Sequence, residues 1–340
     1  MSKQILDGLI FIRVDCGMNL TKLRMSMIGT LAALIALSTL FFTVILSLMG
    51  SMNLVSVIIL TVLFNIAQWL FAPYLIGAMY KTKEVSAADN PRLHGIVERL
   101  SQKIGLKMPK LMIADIPIPN AFAYGSPIAG SRVAVTSGLL RELQEEEVEA
   151  VLGHELGHLK NRDVQTMMFA SILPAIFYYL GYSTMMSTSY GGTTQRESGG
   201  AAPALIGMGS MVIYYVLTLF VLGLSRMREY YADQRSVSIV EDGVRKLSGG
   251  LAKIVSSSSK MKLQQQRGRN FNSFKALFIE DPDRAEKDEM ALSQSRTFGS
   301  DQQLVNEIMS KKVSTTDSIL ELLSTHPNIV KRLQALQSSK

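Results

Sequence analysis

The sequence predicts an α+β membrane protein with four transmembrane helices in two hairpins and a cytoplasmic, mostly helical domain that contains a small β-sheet. Two observations lead to this fold class. Hydrophobic residues make up 47% of the 340-residue chain and charged residues only 19%, and formal charges are nearly missing from two long stretches. The remaining segments alternate between helix-like and strand-like spacing of apolar residues.

The first hairpin is predicted for residues 25–80, after an N-terminal segment of residues 1–24. No Asp, Glu, Lys or Arg occurs in residues 25–80. Because a helix of about 20 apolar residues spans a bilayer, this stretch holds two spans with a turn at residues 50–53. A cleaved signal peptide is the alternative, but the polar leader is long and a second span follows directly, which favours a membrane anchor.

The second hairpin is predicted for residues 164–225, where only Arg196 and Glu197 are charged. Both lie in the Gly- and Thr-rich segment 191–200, which we interpret as the turn. The cytoplasmic side is indicated by the basic residues that flank the first hairpin, namely Lys3, Arg13, Lys22, Arg24, Lys81 and Lys83. Both termini and the soluble segments are therefore expected in the cytoplasm.

Charge and cysteine content narrow the classes of partner. The net charge of +7 suits the anionic surface of a lipid bilayer, and the sequence contains no nucleic-acid-binding motif. The single cysteine, Cys16, excludes an intrachain disulfide and fits a reducing compartment.

The soluble domain is expected in two parts, residues 81–163 and residues 226–340. An amphipathic helix is predicted from residue 90 to residue 105, because apolar residues recur there at helical spacing. Residues 256–269, which are rich in Ser and Gln, are interpreted as a flexible linker or lid. Three short strands precede the second hairpin, at residues 111–114, 120–124 and 132–136.

The most informative motif is the sequence from His154 to His158. In a helix, residues four apart share one face, so both imidazoles can bind one metal ion. Glu155 follows the first histidine and can act as a general base on water at that ion. The alternative is a pair of solvent-exposed histidines, but the chain has only four histidines in total.

A third ligand is available in Glu229, and Asp233 lies one helical turn further on. Two imidazoles and one carboxylate leave one position of a tetrahedral zinc ion free for water, as in catalytic sites. Asp233 could accept a hydrogen bond from a ligating histidine and fix its tautomer. Alternatively, the two acids lie on a solvated helix face that pairs with neighbouring arginines.

The metal is expected at the cytoplasmic surface of the bilayer. Only residues 159–163 separate the histidine motif from the third span, and Glu229 follows the end of the fourth span at Ser225 closely. Near the C-terminus, His326 has two interpretations: it stabilises the oxyanion of a reaction intermediate, or it holds the domain closed. Arg332 is interpreted as a structural ion-pairing residue.

The chain resembles the HtpX-type membrane zinc metalloproteases, which are relatives of the prenyl-protein endoproteases. The resemblance rests on four motifs in the same order, at residues 120–123, 154–163, 228–233 and 324–327. It implies a zincin-type protease domain with one Zn²⁺ per chain, and it supports Glu229 as third ligand and Asp233 as its supporting acid. The sequence departs from the family pattern at residues 234–236 and around residues 256–269.

The resemblance also implies an endopeptidase that cleaves misfolded or damaged membrane proteins, or unfolded polypeptides, at the cytoplasmic face of a prokaryotic inner membrane. Quality control and the stress response are the implied processes. Two alternatives remain open: a prenyl-protein-type endopeptidase, and a metal-free membrane scaffold. The intact set of His154, Glu155, His158 and Glu229 argues against the scaffold.

The substrate is expected to bind as an added strand along residues 120–124. Main-chain pairing at a sheet edge holds a peptide extended with little sequence preference. The small side chains of Ala121 and Ala123 leave room for a second backbone beside Asn120 and Tyr124. The alternative is an ordinary buried strand with Phe122 in the core.

Overall fold

A computed structural model describes residues 67, 70–190, 201–265 and 300–338. The N-terminal segment, most of the first predicted hairpin and the predicted turn at residues 191–200 lie outside the described residues. The described chain forms helices and a small sheet, which in sequence order are α1 Leu70–Met79, β1 Lys83–Glu84, α2 Pro91–Lys103, β2 Lys110–Ala114, β3 Ala121–Ser126, β4 Gly130–Thr136, α3 Ser137–Glu142, α4 Glu145–Lys160, α5 Asp163–Tyr190, α6 Ala201–Ile239, α7 Gly243–Gln265, α8 Asp301–Ser310, α9 Thr315–Leu322 and α10 Ile329–Gln337.

The sheet has the strand order β1-β2-β4-β3. Strands β2 and β4 are parallel, whereas β1 and β3 each pair antiparallel with a neighbour. The three predicted strands are confirmed, and β1 is an additional short strand. Strand β3 extends to Ser126 and β4 begins at Gly130. The turn between them is therefore shorter than the interval between the predicted strands, which end at residue 124 and begin at residue 132. Because β3 pairs with β4 only, it is an edge strand, as predicted.

Helix α2 follows from its sequence. The Asn90 side chain accepts a hydrogen bond from the Leu93 N–H at 3.1 Å, and Pro91 occupies the first turn, a combination that favours a helix start. The predicted apolar face is confirmed, because its residues are buried in the main core, namely Leu93, Ile96, Val97, Leu100 and Ile104.

Helix α4 lies between the sheet and α6, and most of its length is buried. Gln144 and Glu147 form a capping box at its start, which satisfies two helix-terminal N–H groups. Gly153 and Gly157 allow α6 to approach closely. A Cβ at Gly153 would lie 3.0 Å from the Ser236 hydroxyl, and one at Gly157 would lie 3.3 Å from Arg235 Cβ. That hydroxyl donates a 2.6 Å hydrogen bond to the carbonyl of Ala150.

The prediction of a flexible linker or lid at residues 256–269 is wrong for its first part, because α7 continues as a helix to Gln265. Serine and glutamine have only modest helix propensity. The buried face of α7, which includes Leu247, Leu251 and Ile254, packs on the main core, and packing of an apolar face contributes more to helix stability than propensity does.

Among the described residues, one helix is long and apolar enough to cross a membrane, and it covers Leu205–Ile239 within α6. Helix α5 packs against α6, with Gly181 and Gly207 at the contact. Helix α1 is a shorter apolar helix at the end of the first predicted hairpin. The structure is therefore mostly helical with a small mixed sheet, as predicted, but the count of four transmembrane helices is not confirmed.

Candidate metal centre

Helices α4 and α6 bring three potential ligands together. The Nε2 atoms of His154 and His158 are 3.1 Å apart. Each lies 3.5 Å from a different carboxylate oxygen of Glu229 on α6: His154 from Oε2 and His158 from Oε1. All three side chains are buried or nearly so. The i, i+4 spacing on α4 and the close contact with α6 thus create a compact triangle of two nitrogens and one carboxylate.

The donor set fits a metal ion. One ligand atom from each of the three residues lies within 4.8 Å of the others. Bond lengths of about 2.0–2.1 Å in tetrahedral geometry place ligand atoms roughly 3.3 Å apart, and the two imidazole nitrogens are 3.1 Å apart. Each of these nitrogens lies 3.5 Å from a different oxygen of Glu229, so the carboxylate faces both of them. The site is mostly enclosed, so the ligands could hold an ion with restricted access for water.

Asp233 lies where a supporting acid is needed for His154. Its Oδ1 is 2.8 Å from the Nδ1 of His154, which leaves Nε2 of the same ring directed at Glu229. Burial disfavours the charged imidazole, but the hydrogen bonds to Asp233 and Glu229 outweigh this effect and raise the pKa of His154 to about 9. The carboxylate therefore fixes the ring orientation, as it does in many metal sites.

A matching acid for His158 is Asp163, which sequence reasoning missed. Its Oδ2 is 2.6 Å from the Nδ1 of His158 and 3.3 Å from the Nε of Arg228. Asp163 is buried at the start of α5. A signal was available, because a lone acid at the beginning of a predicted span is costly unless it is paired.

Arg332 on α10 is fully buried and binds Asp233 through two nitrogens, with Nε at 2.6 Å and Nη2 at 2.7 Å from the carboxylate oxygens. Its Nη1 lies 3.5 Å from Glu229. The predicted ion-pairing role is confirmed, and the partners are acids of the candidate site. One guanidinium thus faces two buried carboxylates and compensates part of their negative charge.

The side chain of Glu155, a residue of α4, extends towards the edge strand β3. Its side chain is buried, and its carboxylate accepts a hydrogen bond from the backbone N–H of Ala123. Burial raises its pKa, while the nearby His154 and His158 act in the opposite direction. The carboxylate is thus held beside the potential ligands by the sheet.

Both interpretations of residues 120–124 describe part of the structure. The Phe122 and Tyr124 side chains are buried, and the Phe122 ring centroid is 4.9 Å from that of Tyr80. The backbone nevertheless forms the edge of the sheet, and Ala123 directs its N–H towards α4. Asn120 precedes β3, where its carbonyl accepts the Thr136 N–H at 2.9 Å and its own N–H donates to the Thr136 hydroxyl at 2.9 Å. The edge of β3 opposite β4 therefore faces the candidate metal centre.

His326 lies between α9 and α10 and reaches the same centre. Its Nε2 is 3.9 Å from an oxygen of Glu229, and its Nδ1 is 3.0 Å from the Thr325 hydroxyl. The Ser324 hydroxyl accepts the backbone N–H of His326 at 3.2 Å. Three of the four histidines of the chain thus meet at one place.

Comparison with known proteins agrees with this geometry. Residues 87–340 match the family described as peptidase family M48. The Protease HtpX homolog of Thermoplasma acidophilum is 35% identical over 297 residues, which cover 86% of this chain and 87% of the relative. The Protease HtpX homolog of Aeropyrum pernix is 37% identical over 272 residues, or 80% and 82% of the two chains.

A solved structure is similar in fold. The crystal structure of S. mikatae Ste24p matches with a TM-score of 0.51 at 18% identity, over 93% of this chain and 67% of that one. At this identity the likeness concerns the fold alone. The family match covers most of the chain, and so do the HtpX relatives. The chain therefore belongs to peptidase family M48 and is a metalloprotease.

Proposed function

We propose that the protein is a zinc-dependent endopeptidase of the membrane, with one zinc ion held by His154, His158 and Glu229. The observation that carries this proposal is the triangle of ligand atoms, which lie within 4.8 Å of one another and whose two imidazoles are each oriented by a buried acid. When bound, zinc polarises a carbonyl group and lowers the pKa of a coordinated water. Asp233 and Asp163 keep both imidazoles in the ligating tautomer.

Glu155 is the proposed general base. It takes a proton from the attacking water and passes it to the leaving amine. Its carboxylate is next to both histidines and is positioned by the Ala123 N–H, so it need not move far to serve both steps. His326, whose Nε2 approaches Glu229, is proposed to donate a hydrogen bond to the developing oxyanion.

The substrate is proposed to pair with the edge of β3 opposite β4, along residues 120–124. This edge faces Glu155, so an added strand would bring a peptide carbonyl to the ligand triangle. Substitution of Ala123 would also disturb Glu155, so a structure with a bound peptidomimetic inhibitor is the cleaner test. We expect main-chain pairing with residues 120–124; an inhibitor that reaches the ligands without this pairing would contradict the proposal.

Misfolded or damaged membrane proteins are the proposed substrates, and unfolded polypeptides are a second source. Support comes from the relatives named HtpX proteases and from α6, which carries both the apolar stretch and Glu229. Family membership argues against the metal-free scaffold. The prenyl-protein alternative is not favoured by these relatives, which are named HtpX proteases.

The proposed topology has four spans and an active site on the cytoplasmic side of a prokaryotic inner membrane. Reporter fusions after residue 340 and within residues 191–200 should report opposite sides of the membrane, because the positive charges flank the spans on one side only. Reporters on the same side would contradict the hairpin arrangement.

The catalytic proposal is tested with the full-length protein in detergent, with zinc content and cleavage of an unfolded polypeptide measured together. Glu155→Gln should retain zinc and lose cleavage, since it alters the base and no ligand. Glu145→Gln is the matched control: it lies on the same helix, is exposed, and should retain both. Full cleavage by Glu155→Gln would refute the mechanism.

A further inference from the structure

Helix α9 has an inverted polarity for a helix surrounded by water. Its buried residue is Glu321, whose carboxylate accepts the Asn328 N–H at 3.1 Å and pairs with Lys331. Ile319 is 57% exposed, and Leu323 at the C-terminal cap is 66% exposed. These two residues are four apart and share one face. An outward apolar pair is unfavourable in water, but it is favourable against lipid.

The position of α9 brings that face to the membrane end of α6. Arg226 donates from Nη1 to the carbonyl oxygens of Glu321 at 2.7 Å and Ser324 at 2.8 Å. Arg226 is the first residue after the predicted span of residues 164–225. These hydrogen bonds therefore hold the C-terminal end of α9 next to Arg226, where α6 leaves the predicted span.

The turn between β3 and β4 shows the same feature at a second place. It consists of Pro127, Ile128 and Ala129. Gly, Pro, Asn, Asp and Ser dominate turns, so Pro127 is an ordinary turn residue, whereas Ile128 is not. Ile128 is 61% exposed. The turn does not project freely, since the Ser126 hydroxyl donates a 3.0 Å hydrogen bond to the carbonyl of Leu70 on α1.

That hydrogen bond fixes the depth of the turn. Leu70 lies about 15 Å of helix rise before Tyr80, where the charge-free stretch of residues 25–80 ends. Strand β3 follows α1 over this distance, with Phe122 against Tyr80 and Ser126 against Leu70. The turn therefore lies alongside the apolar helix, well on the membrane side of Tyr80.

The distribution of exposed apolar side chains points to the same surface. Over the described parts of the chain, the exposed large hydrophobic residues fall within the predicted spans, with three exceptions. The exceptions are Ile128, Ile319 and Leu323. The turn that carries Ile128 is hydrogen-bonded to Leu70, inside the first predicted hairpin. The C-terminal end of α9, which carries Ile319 and Leu323, is hydrogen-bonded to Arg226, directly after the second predicted hairpin.

We propose that the β3–β4 turn and the outer face of α9 form a bilayer-contacting surface, and that lipid of the cytoplasmic leaflet covers Ile128, Ile319 and Leu323. Because β3 joins this turn to Ala123 at the candidate metal centre, the edge of β3 opposite β4 then starts at the bilayer. If the proposed function holds, polypeptide segments that leave the membrane are the substrates that this edge receives most directly.

Lipid contact can be measured at single cysteines, since Cys16 is the one cysteine of the chain. In a Cys16→Ser full-length background, Ile128→Cys, Ile319→Cys and Leu323→Cys are labelled with an environment-sensitive fluorophore. The proteins are placed in phosphatidylcholine–phosphatidylglycerol vesicles that contain spin-labelled lipid. We expect loss of most of the fluorescence at all three positions and little quenching by aqueous iodide.

Gln102→Cys is the matched control. Gln102 is exposed on α2, and its neighbour Lys103 donates to the carbonyl of Ile239 at 2.7 Å, about 21 Å of helix rise beyond Ser225. We expect quenching by iodide and none by lipid at this position. Lipid quenching at residue 128, 319 or 323 no stronger than at residue 102 would overturn the proposal. Cleavage is not the readout, so failure of the proposed function would leave this result unchanged.

Discussion

The two histidines of the candidate metal centre are supported in the same way but by different parts of the molecule. His154 is held by Asp233, which two nitrogens of the buried Arg332 bind at 2.6 and 2.7 Å. His158 is held by Asp163, which Arg228 approaches at 3.3 Å through Nε. The first chain of contacts ends on the C-terminal helix α10, and the second ends at the start of the membrane-side helix α5.

This difference indicates how the centre joins the two parts of the protein. On the His154 side, Asp233 and Arg332 are buried and form a bidentate pair. This pair resembles a structural ion pair of the soluble domain. The His158 side is slightly more open, with 12% of the histidine side chain exposed against 2% for His154. Its acid begins the helix that continues into the predicted membrane hairpin. The centre therefore has a rigid soluble half and a looser half attached to the membrane.

The largest difference in the free energy of unfolding is expected between substitutions of Arg332 and Arg228. Arg332→Ala leaves Asp233 and Glu229 buried with less compensation, so it should lower the free energy of unfolding by about 3–5 kcal/mol. Arg228→Ala should cost less, because Asp163 keeps its contact with His158. Denaturation of both variants in detergent measures this. Equal losses would remove the distinction between a rigid and a looser half.

A smaller difference is expected between the two acids. Asp233→Asn and Asp163→Asn each weaken the orientation of one ligand, and changes of this kind typically reduce metal affinity about 10–100-fold. The Asp233 variant should lie at the upper end of this range, since its amide also disturbs Arg332. Zinc dissociation constants from chelator competition test the order. A weaker effect at Asp233 than at Asp163 would reverse the comparison.

The smallest effects concern the glycines at which α4 meets α6. A Cβ at Gly153, on the His154 side, would lie 3.0 Å from the Ser236 hydroxyl; one at Gly157 would lie 3.3 Å from Arg235 Cβ. Gly153→Ala should destabilise the fold by about 1 kcal/mol, and Gly157→Ala by less.

Gly95→Ala is the matched control for these glycines, because a Cβ there would meet nothing within 4 Å. It should stabilise α2 by about 0.5–1 kcal/mol. Thermal unfolding of the three variants measures the series. A Gly153→Ala protein as stable as Gly95→Ala would show that α4 and α6 are not tightly packed on the His154 side.

Local patterns in the sequence predicted much of the fold and the core of the site. The i, i+4 spacing of His154 and His158 depends only on helix geometry, and so does that of Glu229 and Asp233. The edge position of β3 agrees with the prediction made from the small side chains of Ala121 and Ala123. Short-range physics determines each of these features, so they can be predicted from neighbouring residues.

Features that depend on distant contacts or on a change of chain direction were missed. Asp163 is five residues after His158, a spacing that does not share a helix face, and it reaches the ring because Arg162 adopts a left-handed conformation with φ of 56°. Arg332 lies far along the chain from Asp233, so its specific partners could not be predicted. The composition of residues 256–269 predicts a linker, whereas residues 256–265 continue helix α7, whose earlier turns carry its buried face.

The most direct test of the metal centre is the zinc content of the full-length protein and its ligand variants, measured by elemental analysis after removal of free metal. One zinc per chain is expected in the wild-type protein, and most of it should be absent from a His154→Ala, His158→Ala double variant and from Glu229→Ala. Stoichiometric zinc retained by the double variant would contradict the assignment of these residues as ligands.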